Sequence, residues 1–175
     1  AVGASKSLTC IGINDGWGGP DNHNGNIHLI NEKVMNEIKA NGCKPEFVNA
    51  GMGRYMFGLY LWRMTNWGIA SKIEWIWHSD RMEPAWLNVH REDGKTFVTV
   101  ALKQSRMGTI DTRYAATLEN LAKKTGDAKA KQLLADITSN IPIALAEARA
   151  DDWSPARCDA VRWMLAKEIL RLKGT

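Results

Sequence analysis

Apolar positions fall along this chain first in short runs and later in helical stripes. Leu8-Thr9-Cys10-Ile11-Gly12-Ile13 is a β-branched run bounded by turn residues, the pattern of a buried strand. From Ile27 the period lengthens: Ile27, Ile30, Val34 and Ile38 share one helical face, with Asn24 or Asn26 as cap and Gly42 just past the end. Phe47–Asn49 reads as a strand, Gly51-Met52-Gly53 as a turn, Arg54–Trp67 as an aromatic helix, and Ile73–His78 as a strand bearing Trp75 and Trp77. A helix between two apolar strands is the βαβ unit with its right-handed crossover, so the pattern predicts three parallel strands.

Beyond a Pro84-containing connector, Leu87–His90 and Thr96–Val100 flank Asp93-Gly94, a strong hairpin signal. The remainder is helical. Tyr114, Leu118 and Leu121 form a stripe closed by Gly126, and Asp127 caps a helix carrying Leu133, Leu134, Ile137 and Ile141. The last helix is marked by Ser154 at the cap, Pro155 at the first position, a Cys158, Val161, Leu165, Ile169, Leu172 stripe and Gly174 beyond. The expected fold is α/β: about three parallel βα units of a partial (β/α) barrel, followed by a hairpin and C-terminal helices. The expected division is a barrel-and-hairpin region over 1–105 and a helical region over 106–175 packed on it.

Composition adds little until the tryptophans are counted. At 175 residues, with 45% hydrophobic and 24% charged positions, the chain is an ordinary globular domain. Eight tryptophans are not ordinary, and they fill either a large core or a sugar or aromatic-ligand site. The net charge of +4 comes from dispersed residues without a run of like charge, which argues against nucleic acid as a partner. Cys10, Cys43 and Cys158 cannot all pair within one chain and lack metal-ligand spacing, so no metal or cofactor is expected. No apolar run reaches the roughly 18 residues of a membrane span, and the first residues do not read as a signal peptide. The chain begins at Ala1, as a processed product or part of a longer polypeptide would, so the compartment stays open, secreted and periplasmic included.

In parallel sheets of this kind the ligand lies outside the carboxyl ends of the strands, which places Asn49–Arg54 and Trp77–Ser79 at the site. The long Gly/Asn/Asp loop from Asn14 to Gly25 lies there too, and its Trp17 either plugs the sheet's end or touches a ligand. On the third strand Ile73, Trp75 and Trp77 point one way and Glu74, Ile76 and His78 the other. The Trp77 indole can stack on a pyranose. Glu74, deeper, is either a structural partner of Arg54 or Arg63 or a catalytic carboxylate, and His78 either a satisfied polar residue or a base. Gly51-Met52-Gly53 before a helix suits an anion, but the third glycine of a dinucleotide fingerprint is missing. Gly12-Ile13-Asn14-Asp15 matches the Gly-x-Asn-Asp block of SGNH esterases, whose Gly-Asp-Ser and Asp-x-x-His blocks are absent here.

Two segments together resemble a family. Gly53-Arg54-Tyr55-Met56-Phe57-Gly58-Leu59-Tyr60-Leu61-Trp62, followed by Ile73-Glu74-Trp75-Ile76-Trp77, is similar to the "Gly-Arg-Tyr-x-Phe-Gly-x-Tyr-x-Trp" helix and last barrel strand of a group of (β/α)8-barrel glycoside hydrolases and related domains, which includes certain β-N-acetylgalactosaminidases. Arg106-Met107-Gly108-Thr109-Ile110-Asp111-Thr112-Arg113-Tyr114 resembles that group's "Arg-Glu-Gly-Ile-Asp-Asp-x-Arg-Tyr" segment, with Met107 for Glu and Thr112 for the second Asp. The resemblance spans about Leu8 to Ile141. It implies that the three strands are the last of a barrel, that Asn14, Asp15, Trp17, Asn49, Arg54, Tyr55 and Trp77 face substrate, and that carbohydrate is the partner.

A full barrel needs eight βα units and about 250 residues, so more chain, a second chain or self-association would have to complete this one. The expected function is therefore a glycoside-hydrolase-like, carbohydrate-active protein, with Asp15 and Glu74 as the candidate catalytic carboxylates and His78 among the binding residues. The alternative is a non-catalytic α/β module that binds a glycan or a protein; an α/β esterase is a third reading.

Overall fold

The architecture is that of a computed structural model, which describes residues 9–14, 32–48, 50–51, 53–69, 71–73, 89–150 and 153–174. Strands β1 (Cys10–Asn14), β2 (Lys44–Val48) and β3 (Ser71–Ile73) form one sheet in the order β1-β2-β3, each pair parallel. Asn14 aligns with Val48, and Val48 with Ile73, so these three residues lie side by side across the sheet. Pro45 lies opposite Ile11 of β1, and among the described residues β3 pairs with β2 from Glu46 onward. Helix α1 (Glu32–Ala40) buries Met35 and Ile38 and packs on β2, whose Phe47 is fully buried. The third strand starts at Ser71, earlier than its apolar run suggests.

The aromatic helix expected over Arg54–Trp67 is broken into α2 (Arg54–Phe57) and α3 (Leu59–Thr65). The break lies where Gly58 meets Gly108 on a neighbouring helix. A methyl group on Gly58 would stand 2.7 Å from the Arg54 carbonyl and 3.1 Å from the Gly108 Cα, and one on Gly108 would run into that same carbonyl. The hydroxyl of Thr112 lies 3.2 and 2.9 Å from the carbonyl oxygens of Phe57 and Gly58, so its one proton is shared across the break, where the Gly58 carbonyl also accepts from the Trp62 amide.

A hairpin follows as expected, β4 (Val89–Glu92) against β5 (Lys95–Val98), antiparallel. Asp93 and Gly94 both take positive φ, 48° and 72°, the handedness that matches the twist of the flanking strands. Helix α4 (Val100–Thr125) is longer than its stripe implies, because Thr99 caps it by accepting from the Leu102 amide and the helix then runs unbroken through residues 105 and 106 to Gly126. Helices α5 (Ala128–Ser139), α6 (Leu145–Ala150) and α7 (Pro155–Lys173) complete the order, with Asp127 and Ser154 capping α5 and α7 as their sequences predict. The α4 helix touches α2, α3, α5 and α7. It is therefore the spine between the sheet side and the C-terminal helices, with Phe47, Tyr60, Trp62, Leu118 and Leu165 among the buried side chains.

Candidate functional site

Just past the carboxyl end of β2 the chain turns through Gly51 and Gly53, whose φ values of 115° and 108° exclude most side chains. Four side-chain anchors hold this turn and the helix it feeds. Lys72 on β3 donates from Nζ to the Gly51 carbonyl at 2.8 Å, and its ammonium lies 4.4 Å from the Phe57 ring centre. Arg54 donates from Nε and Nη2 to the two carboxylate oxygens of Asp111, at 2.7 and 3.1 Å. Its Nη1 donates to the Pro155 carbonyl at 3.2 Å and lies 2.8 Å from Asp159 Oδ1. Tyr55 stacks on Trp153 with ring centres 4.7 Å apart and planes 4° from parallel, and the Arg157 guanidinium covers Trp153 at 3.9 Å. Thr112 supplies the fourth, against the carbonyls of Phe57 and Gly58.

Asp111 is 1% exposed and also accepts from Arg162 Nε at 2.5 Å, while Arg162 Nη2 donates to the Met107 carbonyl at 3.0 Å. Two cations on one buried carboxylate satisfy it from both sides. The bidentate bond to Asp111, and then Asp159, hold the Arg54 guanidinium charged well above its ordinary value. With its side chain 9% exposed and all three nitrogens engaged, Arg54 ties the start of α2 to α4 and α7. The two segments that resemble the glycosidase group thus meet: the first contributes Arg54 and Gly58, the second Gly108, Asp111 and Thr112.

Of the residues expected at the site, Arg54 and Tyr55 are both buried within this base. Asn14 is the last residue of β1, level with the end of β2. Asp15, Trp17, Asn49, Glu74, Trp77 and His78 lie outside the described residues. Arg63, the other cation weighed against Glu74, has its Nε buried without a hydrogen-bond partner among the described residues, as does Trp62 Nε1. Lys72, Asp159, Arg162 and Trp153 carry parts of the site that sequence reasoning missed, and Asp111 was read only as part of a motif. A signal for Asp111 was present: with Ala115, Leu118 and Ala122 it falls on the buried face of α4, and an acid in an apolar stripe needs a cation.

Among the described residues there is no group of three or more His, Cys, Asp or Glu placed to hold a metal, and no helix long and apolar enough to cross a membrane. Set against known family models, curated proteins and solved structures, the chain finds no match.

Proposed function

We propose that this is a carbohydrate-active, glycoside-hydrolase-like protein whose sugar site is built at the carboxyl ends of its parallel strands, on the turn that Arg54, Lys72 and Tyr55 hold from below. The observation that carries the reading is the parallel, sequential β1-β2-β3 order. Right-handed crossovers joining strands in sequential order lay successive helices on one face, as in a sector of a (β/α) barrel, whereas a doubly wound sheet reverses its order. The remaining strands would come from further polypeptide, a second chain or a second copy. In this reading Asn14, Asn49 and Trp77 with the Asp15–Trp17 loop contact the sugar, His78 stands beside them, and Arg54 and Tyr55 orient the turn from beneath.

Hydrolysis requires two carboxylates about 5–9 Å apart. Asp111 and Asp159, the carboxylates that meet Arg54, are both engaged with arginine, so the pair would be Asp15 and Glu74. That engagement also favours a second reading, a module that binds glycan without cleaving it. Chromogenic glycosides, including a β-linked N-acetylgalactosaminide, together with a glycan array separate the two. An enzyme loses turnover in Asp15→Asn or Glu74→Gln while keeping its fold; a binding module shows no turnover and loses glycan affinity in Trp77→Ala. No turnover and no glycan bound would sink both, and labelling by an active-serine probe would favour the esterase.

A further inference from the structure

Helix α7 turns one stripe to the core through Cys158, Val161, Leu165 and Ile169, and the opposite face carries large apolar groups in solvent. Trp163 is 67% exposed, Leu170 51% and Met164 44%. Large apolar side chains clustered in solvent, with a tryptophan among them, are the composition of an interaction surface. Beside it a cleft of about 410 Å³ runs between α5 and α7, floored by Leu133, Ile137 and Val161, with Ala160 and Met164 on the α7 side.

We propose that this face pairs with a second copy of the same chain, the two α7 helices antiparallel about a two-fold axis at Trp163. The charges choose this occupant and this direction. Asp159 and Lys167 flank Trp163 at equal spacing on the same exposed face, so an antiparallel copy sets Asp159 of one chain against Lys167 of the other, twice by symmetry. A parallel pair would set Asp159 against Asp159 and Lys167 against Lys167. Asp159 already pairs with Arg54 through Oδ1, but its side chain is 56% exposed, so the carboxylate still faces solvent and can meet a second cation.

Size complementarity runs the same way, since Ala156 and Leu170 also flank Trp163 at equal spacing, small against large. The cleft alongside receives the indole of the other copy. One helix pair with a cleft lies at the small end of specific interfaces, so a dissociation constant on the order of micromolar is expected. The interface shares Asp159 with the base that holds Arg54, but it requires no bound sugar and stands whether or not that site binds sugar.

Sedimentation equilibrium on the full chain tests it. The expected result is a reversible monomer–dimer equilibrium, weakened at least about tenfold by Trp163→Glu and by Lys167→Glu, each with an unchanged circular dichroism spectrum. The register is tested in a Cys10→Ser background, since Cys10 is exposed while Cys43 and Cys158 are buried. Trp163→Cys should then cross-link to itself on mild oxidation. Ala156→Cys alone should not, yet should cross-link to Leu170→Cys when the two variants are mixed. A monomer up to ~100 µM, a dimer indifferent to both charge-bearing variants, or self-cross-linking of Ala156→Cys would overturn the proposal.

Discussion

At Asp111 two guanidinium groups from different helices converge on a carboxylate removed from water, and the physics of such a site is asymmetric. Formation of the cluster adds modest stability, because desolvation offsets most of the attraction, but deleting the shared anion leaves Arg54 and Arg162 facing each other. Asp111→Ala is therefore expected to cost about 3–5 kcal/mol in urea unfolding. Asp159→Asn, at a mostly exposed contact with the same Arg54, should cost only about 0–1 kcal/mol. Glycine supplies a second contrast. Gly108→Ala forces a methyl into the Arg54 carbonyl at the helix crossing and should cost more than about 1–3 kcal/mol, with the crossing itself displaced. Gly126→Ala meets open space at φ 73° and should cost about 1–2 kcal/mol, the strain of a left-handed residue alone.

Between elements, the ends of α5 and α7 are joined by Arg171, which donates to Asp127 at 2.6 Å and to Glu168 at 2.6 and 2.9 Å. Its guanidinium is the first cause holding both carboxyls below their ordinary values; the Ala130 amide adds to the effect at Asp127. The unfolded chain then binds more protons than the folded one in acid, so this contribution is fully present at neutral pH and is lost as pH falls from the ordinary carboxylate values through the depressed ones. Thermal melts of the wild type and Arg171→Ala should differ at neutral pH and draw together only as pH falls below the ordinary carboxylate range of about 4 and through the depressed values. A gap that persists in acid would mean that Arg171 acts by packing. The helix ends at 126, 127, 154 and 174 were legible, because their caps and glycines act locally, through bonds to the next turn of the same chain; Thr99, read as strand, instead caps α4. The break at Gly58 was not, because its cause is Gly108, far away in sequence.

Across the whole molecule, α4 joins sheet-side and C-terminal elements into one packed body, and the thiols report on that. Cys10 is exposed, whereas Cys158 is fully buried on α7 and burial pushes its thiol up to about 11. A thiol reagent should label Cys10 at once and Cys158 only as the chain unfolds, with the Cys158 rate rising with denaturant in step with loss of helix signal. Fast labelling of Cys158 in native buffer would show α7 opening on its own.

Taken by itself, the order of residues determined the parallel βα units, the hairpin, the helix caps and the apolar stripes, since each rests on period or on contacts a few residues apart. It also brought forward Arg54 and Tyr55, through a motif whose place in the chain says nothing of where the side chains point. Tertiary structure decided that both are buried, that the aromatic helix breaks at Gly58, and that Asp111, Arg162, Asp159 and Lys72 support the turn after β2. Those partners are brought together by the packing of α4 and α7 against α2 and by the pairing of β3 with β2. A charge buried in that packing needs a partner, and which residue supplies it is settled only when the helices meet.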